Sequence, residues 1–148
     1  MAWAHNITQK VMNSAQALLA TSSLNGVPTT SILAGIDDET LPNPRIVCLC
    51  REANVTDVPF SGNWIARLEI VVRSNADDSS IEEHFDRAGE AFDLFFTDTT
   101  LEDLSSAIPE FTAFQIVPDR QTYEREDRSW VSTMTMELAC CGSVITES

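Results

Sequence analysis

The sequence contains no run of about 18 consecutive apolar residues, and its amino terminus lacks a basic start followed by an uninterrupted apolar stretch. The first absence predicts a chain without a membrane-spanning helix. The second argues against a secretory signal peptide. We therefore expect the protein to be made and kept in the cytosol, unless an assembly carries it out of the cell.

Basic residues are also scarce: 9 Lys and Arg stand against 23 Asp and Glu, for a net charge of −14. Tight binding to DNA or RNA relies on cations that neutralise phosphates, so this balance disfavours it.

The chain has only two histidines, His5 and His84, and neither lies in a catalytic motif. His84 is predicted to lie on a helix surface. Since Gly-x-Ser-x-Gly elbows and glycine-rich phosphate loops are absent too, no enzyme is expected.

Four cysteines, Cys48, Cys50, Cys140 and Cys141, occur in apolar, strand-like sequence. Such cysteines are typical of reduced core thiols in a reducing compartment. The alternative is a zinc site with four thiolate ligands. Adjacent residues of a strand point to opposite faces, so Cys140 and Cys141 cannot both converge on one metal without a bulge. No acidic cluster has the ligand spacing of a calcium loop, so neither a metal site nor another cofactor is predicted.

With 148 residues and 43% hydrophobic content, the chain is long enough for one domain with its own core. In Asn63–Asn75 (NWIARLEIVVRSN), alternate residues from Trp64 to Val72 are apolar, while the residues between them mix apolar and charged side chains. This alternation predicts a strand with one buried face. Residues 130–141 repeat the pattern. Both strands exceed the usual length of about five or six residues, so we expect them to form the centre of one sheet.

Two hairpins are expected to complete this sheet. Residues 45–51 (RIVCLCR) are predicted to pair with the central strand, and residues 111–117 (FTAFQIV) with the last one. Residues 118–129 are predicted to be a strongly charged connection. The predicted fold class is therefore α+β, with a four-stranded, mostly antiparallel sheet of two hairpins, helices packed on one face and an N-terminal helix over residues 4–20.

Two further helices are predicted from cap signals and apolar spacing. Ser79 and Glu82 have the spacing of a capping box after an acidic turn, which predicts a helix start. The apolar residues that follow come at steps of three and four: Ile81, Phe85, Ala88, Phe92 and Phe95. This stripe is expected to face the sheet. Thr100 and Asp103 repeat the cap spacing and predict a second, short helix.

One long segment, residues 22–44, is rich in Thr, Ser, Gly and Pro. Connections of this length are uncommon inside a compact domain and are usually functional or mobile. We predict a loop or an arm that reaches a neighbouring chain. The alternative is a surface loop with a short edge strand within residues 31–36. The whole chain, 1–148, is predicted to be a single domain that ends in a flexible tail over residues 142–148.

Three features of the sequence carry a resemblance to a known family. They are a strand rich in Val and Ile over residues 68–73, a helix after a short acidic turn over residues 77–96, and a last strand, 128–140, entered through charged residues and a tryptophan. In these features and in the order of its elements, the chain resembles the tail terminator proteins of long-tailed bacteriophages across residues 45–141. The features are patterns rather than invariant residues.

The resemblance implies a structural virion protein without catalysis. Tail terminators assemble as a ring, usually hexameric, on the end of the tail tube, stop its polymerisation and join the tail to the head or neck. The implied partners are sister subunits, the tail tube protein and head-completion or connector proteins. DNA would pass through the lumen without specific binding, and the ring would lie at the tail–neck junction after assembly in the host cytoplasm. Alternatives are another phage neck or head-completion protein and, more distantly, a small enzyme or ligand-binding domain.

Two stretches are predicted to form the protein interface. The second side of the central strand mixes apolar and charged residues, which suits a surface partly covered by another chain. Residues 120–128 (RQTYEREDR) interleave both signs of charge around a tyrosine, which suits register-specific contacts with a complementary partner. A solvated hairpin is the alternative. The predicted interface residues are Arg67, Glu69, Arg73, Arg120, Tyr123, Glu124, Arg125, Asp127 and Arg128.

Overall fold

The computed structural model describes residues 6–21, 27, 29–37, 44–56, 62–77 and 80–141. The elements in chain order are α1 (Ile7–Ala20), β1 (Ile32–Ala34), β2 (Arg45–Val55), β3 (Asn63–Asn75), α2 (Ile81–Asp93), α3 (Thr100–Ala107), β4 (Thr112–Glu126) and β5 (Ser129–Cys141). Short 3-10 turns lie at Thr29–Ser31 and Leu94–Phe96. The fold is α+β, as predicted.

The strands of the described residues form one sheet in the order β1-β2-β3-β5-β4. β3 and β5 are neighbours at its centre and pair from Asn63 opposite Cys141 to Asn75 opposite Ser129. This confirms the two central strands, and the antiparallel pairs β2–β3 and β4–β5 confirm both hairpins. The prediction of four strands was incomplete, because β1 adds a fifth strand that runs parallel to β2 and makes the sheet mixed.

β1 lies inside the segment 22–44. Its residues, Ile32–Ala34, pair with β2 from Ile46 to Cys48, and Gln16 of α1 donates a hydrogen bond to the Ile32 carbonyl at 2.8 Å. The short edge strand that was the alternative interpretation is thus present. Residues 22–26, 28 and 38–43 lie outside the described part of the chain, as does the predicted tail at 142–148, so contact of an arm with a neighbouring chain stays a prediction.

The helices pack on one face of the sheet, as predicted, and bury one cluster of apolar side chains. α1 packs on β1 and β2, α2 on β3 and β5, and α3 on β4. Alternate residues of β3 from Ala66 to Val72 are fully buried on this face, together with Met136 and Leu138 of β5. Burial of this apolar surface is the main favourable contribution to folding. We call this side of the sheet the helix face and the opposite side the outer face.

Helices α1 and α3 lie close to their predicted positions. α1 accounts for the helix predicted over residues 4–20, and Asn6 caps it by accepting a hydrogen bond from Gln9 N at 3.4 Å. The cap of α3 is one residue earlier than predicted, at Thr99, whose hydroxyl donates to the Asp103 carboxylate at 3.0 Å. None of the helices in the described ranges has the length and apolar character needed to cross a membrane.

The start of α2 was predicted one residue too early. The capping box is formed by Ser80 and Glu83: Ser80 Oγ accepts from Glu83 N at 3.1 Å, and Ser80 N donates to the Glu83 carboxylate at 3.0 Å. The predicted cap residue, Ser79, lies outside the described residues. Both motifs have the same three-residue spacing, so the sequence alone could not separate them.

The buried stripe of α2 is also rotated relative to the prediction. His84 was predicted to lie on the surface and is 0% exposed, whereas Phe85 was predicted to face the sheet and is 46% exposed. The residues that contact the core come at helical steps from the histidine: His84, Ala88, Ala91, Phe92 and Phe95. Because successive residues of a helix are about 100° apart, a stripe that starts at position 84 leaves position 85 at its edge.

β4 is longer than predicted, because residues 118–126 continue the strand instead of forming a connection. The turn into β5 consists of Asp127 and Arg128, and Asp127 has φ 50°, a left-handed conformation that Asp tolerates better than most residues. The pairing with β5 shifts between Ala113 and Gln115 and again at Pro118, as at β-bulges. A bulge on an edge strand is a position at which proline is accepted.

Candidate functional site

The structure places the nine predicted interface residues on two faces of the sheet and in one turn. Arg67, Glu69 and Arg73 of β3 lie on the outer face. The register of β4 against β5 puts two of the others on the outer face, Arg120 and Glu124, and two on the helix face, Tyr123 and Arg125. Asp127 and Arg128 form the turn. The predicted residues therefore do not make one continuous patch.

Arg67 is paired within the chain on the outer face. Its guanidinium lies 2.8 Å from the Asp119 carboxylate, 3.7 Å from that of Glu137 and 3.9 Å from that of Glu52. The hydrogen bond to Asp119 raises the pKa of Arg67 above its usual value. These contacts connect β3 with β2, β5 and β4, so a partner on this surface would meet a cation that already has anionic neighbours.

A second ion-pair network connects Arg73 with the same outer face. Arg73 Nε lies 2.8 Å from the Asp37 carboxylate, which also accepts from Arg45 Nε at 2.6 Å. Arg73 Nη1 donates to Glu126 at 2.9 Å, and this hydrogen bond holds the pKa of Glu126 below its usual value. Arg73 thus fixes the far end of β4 to the middle of the sheet.

Aromatic side chains connect the β4–β5 hairpin with α2 on the helix face. The Tyr123 ring lies edge-on to Phe85 with centroids 5.0 Å apart, and it stacks on Trp130 at 6.2 Å. The Arg125 guanidinium lies 4.9 Å from the Trp130 centroid. Aromatic pairs and cation–π contacts of this kind hold a hairpin in a defined position on a helix.

An apolar groove of about 620 Å³ lies between α2 and β4, and we call it the α2–β4 groove. Its apolar and aromatic lining residues are Phe85, Ala88, Phe92, Phe96, Pro118, Tyr123 and Met134. Asp93 and Gly89 of α2 also line it. The volume is in the range of ordinary ligand pockets, and the lining would exclude water from an apolar group placed there.

His84 binds two serines of the central strands. Nδ1 lies 2.8 Å from Ser74 Oγ of β3, and Nε2 lies 2.8 Å from Ser132 Oγ of β5. Arg87 Nη1 also donates to Ser74 Oγ. A serine hydroxyl can both donate and accept, so the two serines can satisfy either tautomer of the neutral ring. Burial, with the Arg87 cation nearby, lowers the pKa of His84 from 6.5 to about 4.

Ser132 and His84 have the distance of a nucleophile–base pair, and Ser132 lines the groove. The surroundings of the ring do not support that chemistry. Nδ1 contacts the Ser74 hydroxyl, where a triad has a carboxylate. The nearby Arg87 cation contributes to the lowered pKa of His84, so the imidazolium that a general base forms would be destabilised. We assign this cluster a structural role that anchors α2 to β3 and β5.

Sequence reasoning missed this serine–histidine cluster. The sequence did contain one signal of a buried polar cluster. The alternation of β3 and β5 places Ser74 and Ser132 on the helix face, in line with buried apolar residues. Polar residues at buried positions need hydrogen-bond partners. The partner could not be identified until the rotation of α2 was known.

Three cysteines belong to the core of the helix face, Cys48, Cys50 and Cys140, and Cys141 is buried on the outer face. The adjacent pair is thus divided between faces, as the strand pattern required. Among the residues that the structure describes, no group of three or more His, Cys, Asp or Glu side chains could hold a metal ion. Burial raises the pKa of Cys48 and Cys140 to about 12 and that of Cys50 to about 11.

We expect Cys48, Cys50 and Cys140 to be inert to thiol reagents in the native protein, because they are buried and stay protonated at neutral pH. Titration with a chromogenic disulfide should detect at most Cys141 before denaturant is added and all four thiols afterwards. A Cys141→Ser variant serves as the control, since its native protein should show no rapid reaction. Fast labelling of that variant would contradict the placement of the other three cysteines.

Comparison of the chain with known proteins finds no matching family model and no matching curated protein. The resemblance to tail terminators therefore rests on the order and character of the elements alone.

Proposed function

We propose that the protein is a tail terminator, a structural virion protein that forms a hexameric ring on the end of a phage tail tube. In this role it stops polymerisation of the tube protein and joins the tail to head-completion or connector proteins. It works by surface complementarity: one face of the ring matches the tube subunit, and the other lacks the features that recruit a further tube layer.

The main support is the long, uncovered edge strand β4. Among the described strands it pairs only with β5, and every residue from Val117 to Glu126 is exposed. Phe114 and Val117 add large exposed apolar side chains to it. An edge of this length with apolar residues is a surface that another chain can cover. Sister subunits in a ring, or the tube beneath it, supply such a cover.

The charge of the chain also suits this role. A net charge of −14 repels the phosphates of DNA, so a lumen built from such subunits lets the genome pass without holding it. Many of the carboxylates lie on exposed positions of α2 and α3, among them Glu82, Asp86, Glu90, Glu102 and Asp103.

The deciding experiment adds the purified protein to preformed tail tubes in the presence of free tube protein. We expect it to bind tube ends as a ring, visible by electron microscopy, and to stop further elongation. Tubes that elongate at an unchanged rate with bare ends would overturn the proposal. Binding to head-completion or connector proteins without any binding to tubes would instead favour the alternative, another neck protein.

Charge reversal in the β4–β5 hairpin is expected to weaken this capping. Arg128 is exposed in the turn, and Arg125 stacks on Trp130, so an R125E/R128E variant should lose only about 0.5–1 kcal/mol of stability while it presents the wrong charge to a partner. The control is D98K/E102K, which reverses two exposed charges outside the predicted interface. Tube capping at equal protein concentration is the measurement. Equal activity of both variants would remove the hairpin from the interface.

A further inference from the structure

We propose that the α2–β4 groove binds a short segment of a different protein that carries apolar side chains flanked by Lys or Arg. The groove is formed within one subunit, by α2 on one side and the β4–β5 hairpin on the other. The inference therefore goes beyond the capping role and does not depend on ring formation.

The apolar part of this specificity follows from the groove lining. Phe85, Phe96 and Tyr123 all line the groove and are all exposed, although each is a large aromatic side chain. Isolated exposed apolar residues are normal on a protein surface, but several that converge on one concave site usually mark a binding surface. A volume of about 620 Å³ accommodates several apolar side chains of a bound segment.

The expected preference for Lys or Arg in the bound segment follows from the acidic residues of α2. Its exposed acidic residues are Glu82, Glu83, Asp86, Glu90 and Asp93. Of these, Asp93 lines the groove, whereas Glu83, Asp86 and Glu90 line a separate pocket on α2 together with Arg87. The cation of this helix, Arg87, donates to Ser74 Oγ, and Arg125 on the opposite side stacks on Trp130. Asp93 is the one charged side chain among the described residues that line the groove, and a segment with Lys or Arg next to its apolar residues complements it.

A second copy of this chain fits the groove less well. Among the described residues, none of the large exposed apolar side chains is adjacent in the chain to a Lys or Arg, so a second copy offers no segment of the required kind. The exposed hairpin turn of a second copy carries both signs of charge and no large apolar side chain to fill the groove. We therefore commit to a partner whose binding segment is basic and apolar.

Gly89 provides a way to close the groove without disturbing the fold. It lies on the groove wall within α2, and a Cβ added there would meet no atom within 4 Å. Substitution by alanine or a larger residue should stabilise the helix relative to glycine. A G89W variant places an indole in the space that a bound segment would fill, and G89A changes the same position without filling it.

The test uses two pools of short fluorescent peptides, each with randomised Leu, Phe, Trp and Met positions, one flanked by Lys and the other by Glu. Binding to the full chain is measured by fluorescence anisotropy. We expect selected Lys-flanked peptides to bind the native protein and G89A equally, and to bind G89W about tenfold or more weakly, which corresponds to about 1.4 kcal/mol. Peptides of the Glu-flanked pool should not bind.

Four outcomes would overturn the proposal. Equal binding to G89W and G89A would show that the net charge attracts the peptides without use of the groove. Equal binding of the two pools would remove the charge preference, and no binding by either would remove the site. Self-association of the protein that G89W abolishes would make a second copy the occupant. In each case the tube-capping test can still succeed, so the two proposals fail independently.

Discussion

Replacement of Phe95 by alanine is expected to lower the free energy of unfolding by about 3–5 kcal/mol. Phe95 lies in the 3-10 turn that follows α2, is 0% exposed and belongs to the core cluster between the helices and the sheet. The variant loses the favourable free energy of burying the ring away from water. It also has a cavity that the close-packed neighbouring side chains fill only in part. Urea unfolding followed by circular dichroism measures the change.

Phe85→Ala is the matched control, since it removes the same ring from the helix that precedes this turn. Phe85 is 46% exposed and contacts Tyr123 edge-on, so its loss should cost only about 1 kcal/mol. The sequence pattern alone placed both phenylalanines on one stripe that faces the sheet. If the two variants lost equal stability, the rotation of α2 on the sheet described above would be wrong.

The free energy of unfolding is expected to fall by about 3 kcal/mol as the pH decreases from about 6.5 to about 4, because of His84. The folded pKa of about 4 lies below the ordinary value of 6.5. In this interval the unfolded chain binds a proton at His84 and the folded chain does not, so acid favours unfolding. Above pH 6.5 the ring is neutral in both states and its contribution to stability is complete.

A His84→Gln variant tests the assignment, because glutamine can hydrogen-bond the two serines but does not titrate. The urea concentration at the unfolding midpoint, measured at several pH values between 4.5 and 7, should change less with pH for this variant than for the native protein. Glu83 and Glu126 have lowered pKa values as well, but both are carboxylates whose contribution is lost below pH 4.5. They affect both proteins alike. An identical pH slope in the two proteins would show that His84 is not the group responsible.

The sequence was most informative where one face of a strand is buried and the other is not. β3 and β5 alternate between apolar and mixed residues along their whole length, so their bounds and their central position could be predicted. The same logic failed for the far half of β4. An edge strand that is exposed on both faces has no apolar residues to alternate, and residues 118–126 therefore resemble a loop in composition.

The features of the candidate site depend on contacts between segments far apart in the chain. The spacing of α2 fits two stripes that differ by one residue, and only the packing of the helix on β3 and β5 decides that His84 is inside and Phe85 outside. The groove likewise forms only because β4 continues beside α2. The candidate interface residues of β3 were correctly placed on a strand, whereas those at 120–125 were predicted in a connection and lie in β4. Their division between two faces required the register of β4 on β5.

The two borders of the sheet differ greatly in extent: β1 has 3 residues and β4 has 15. In a head-to-tail interface, the edge strand β1 of one subunit would pair with β4 of the next. Because β1 is so short, this pairing could form only a few backbone hydrogen bonds. A long continuous sheet across two subunits would instead require β4 to meet its own counterpart about a two-fold axis, which gives a closed pair and not a circle. Among the described strands, none could therefore pair with the whole of β4 in a circular assembly, so most of its exposed edge would be covered by side-chain contacts.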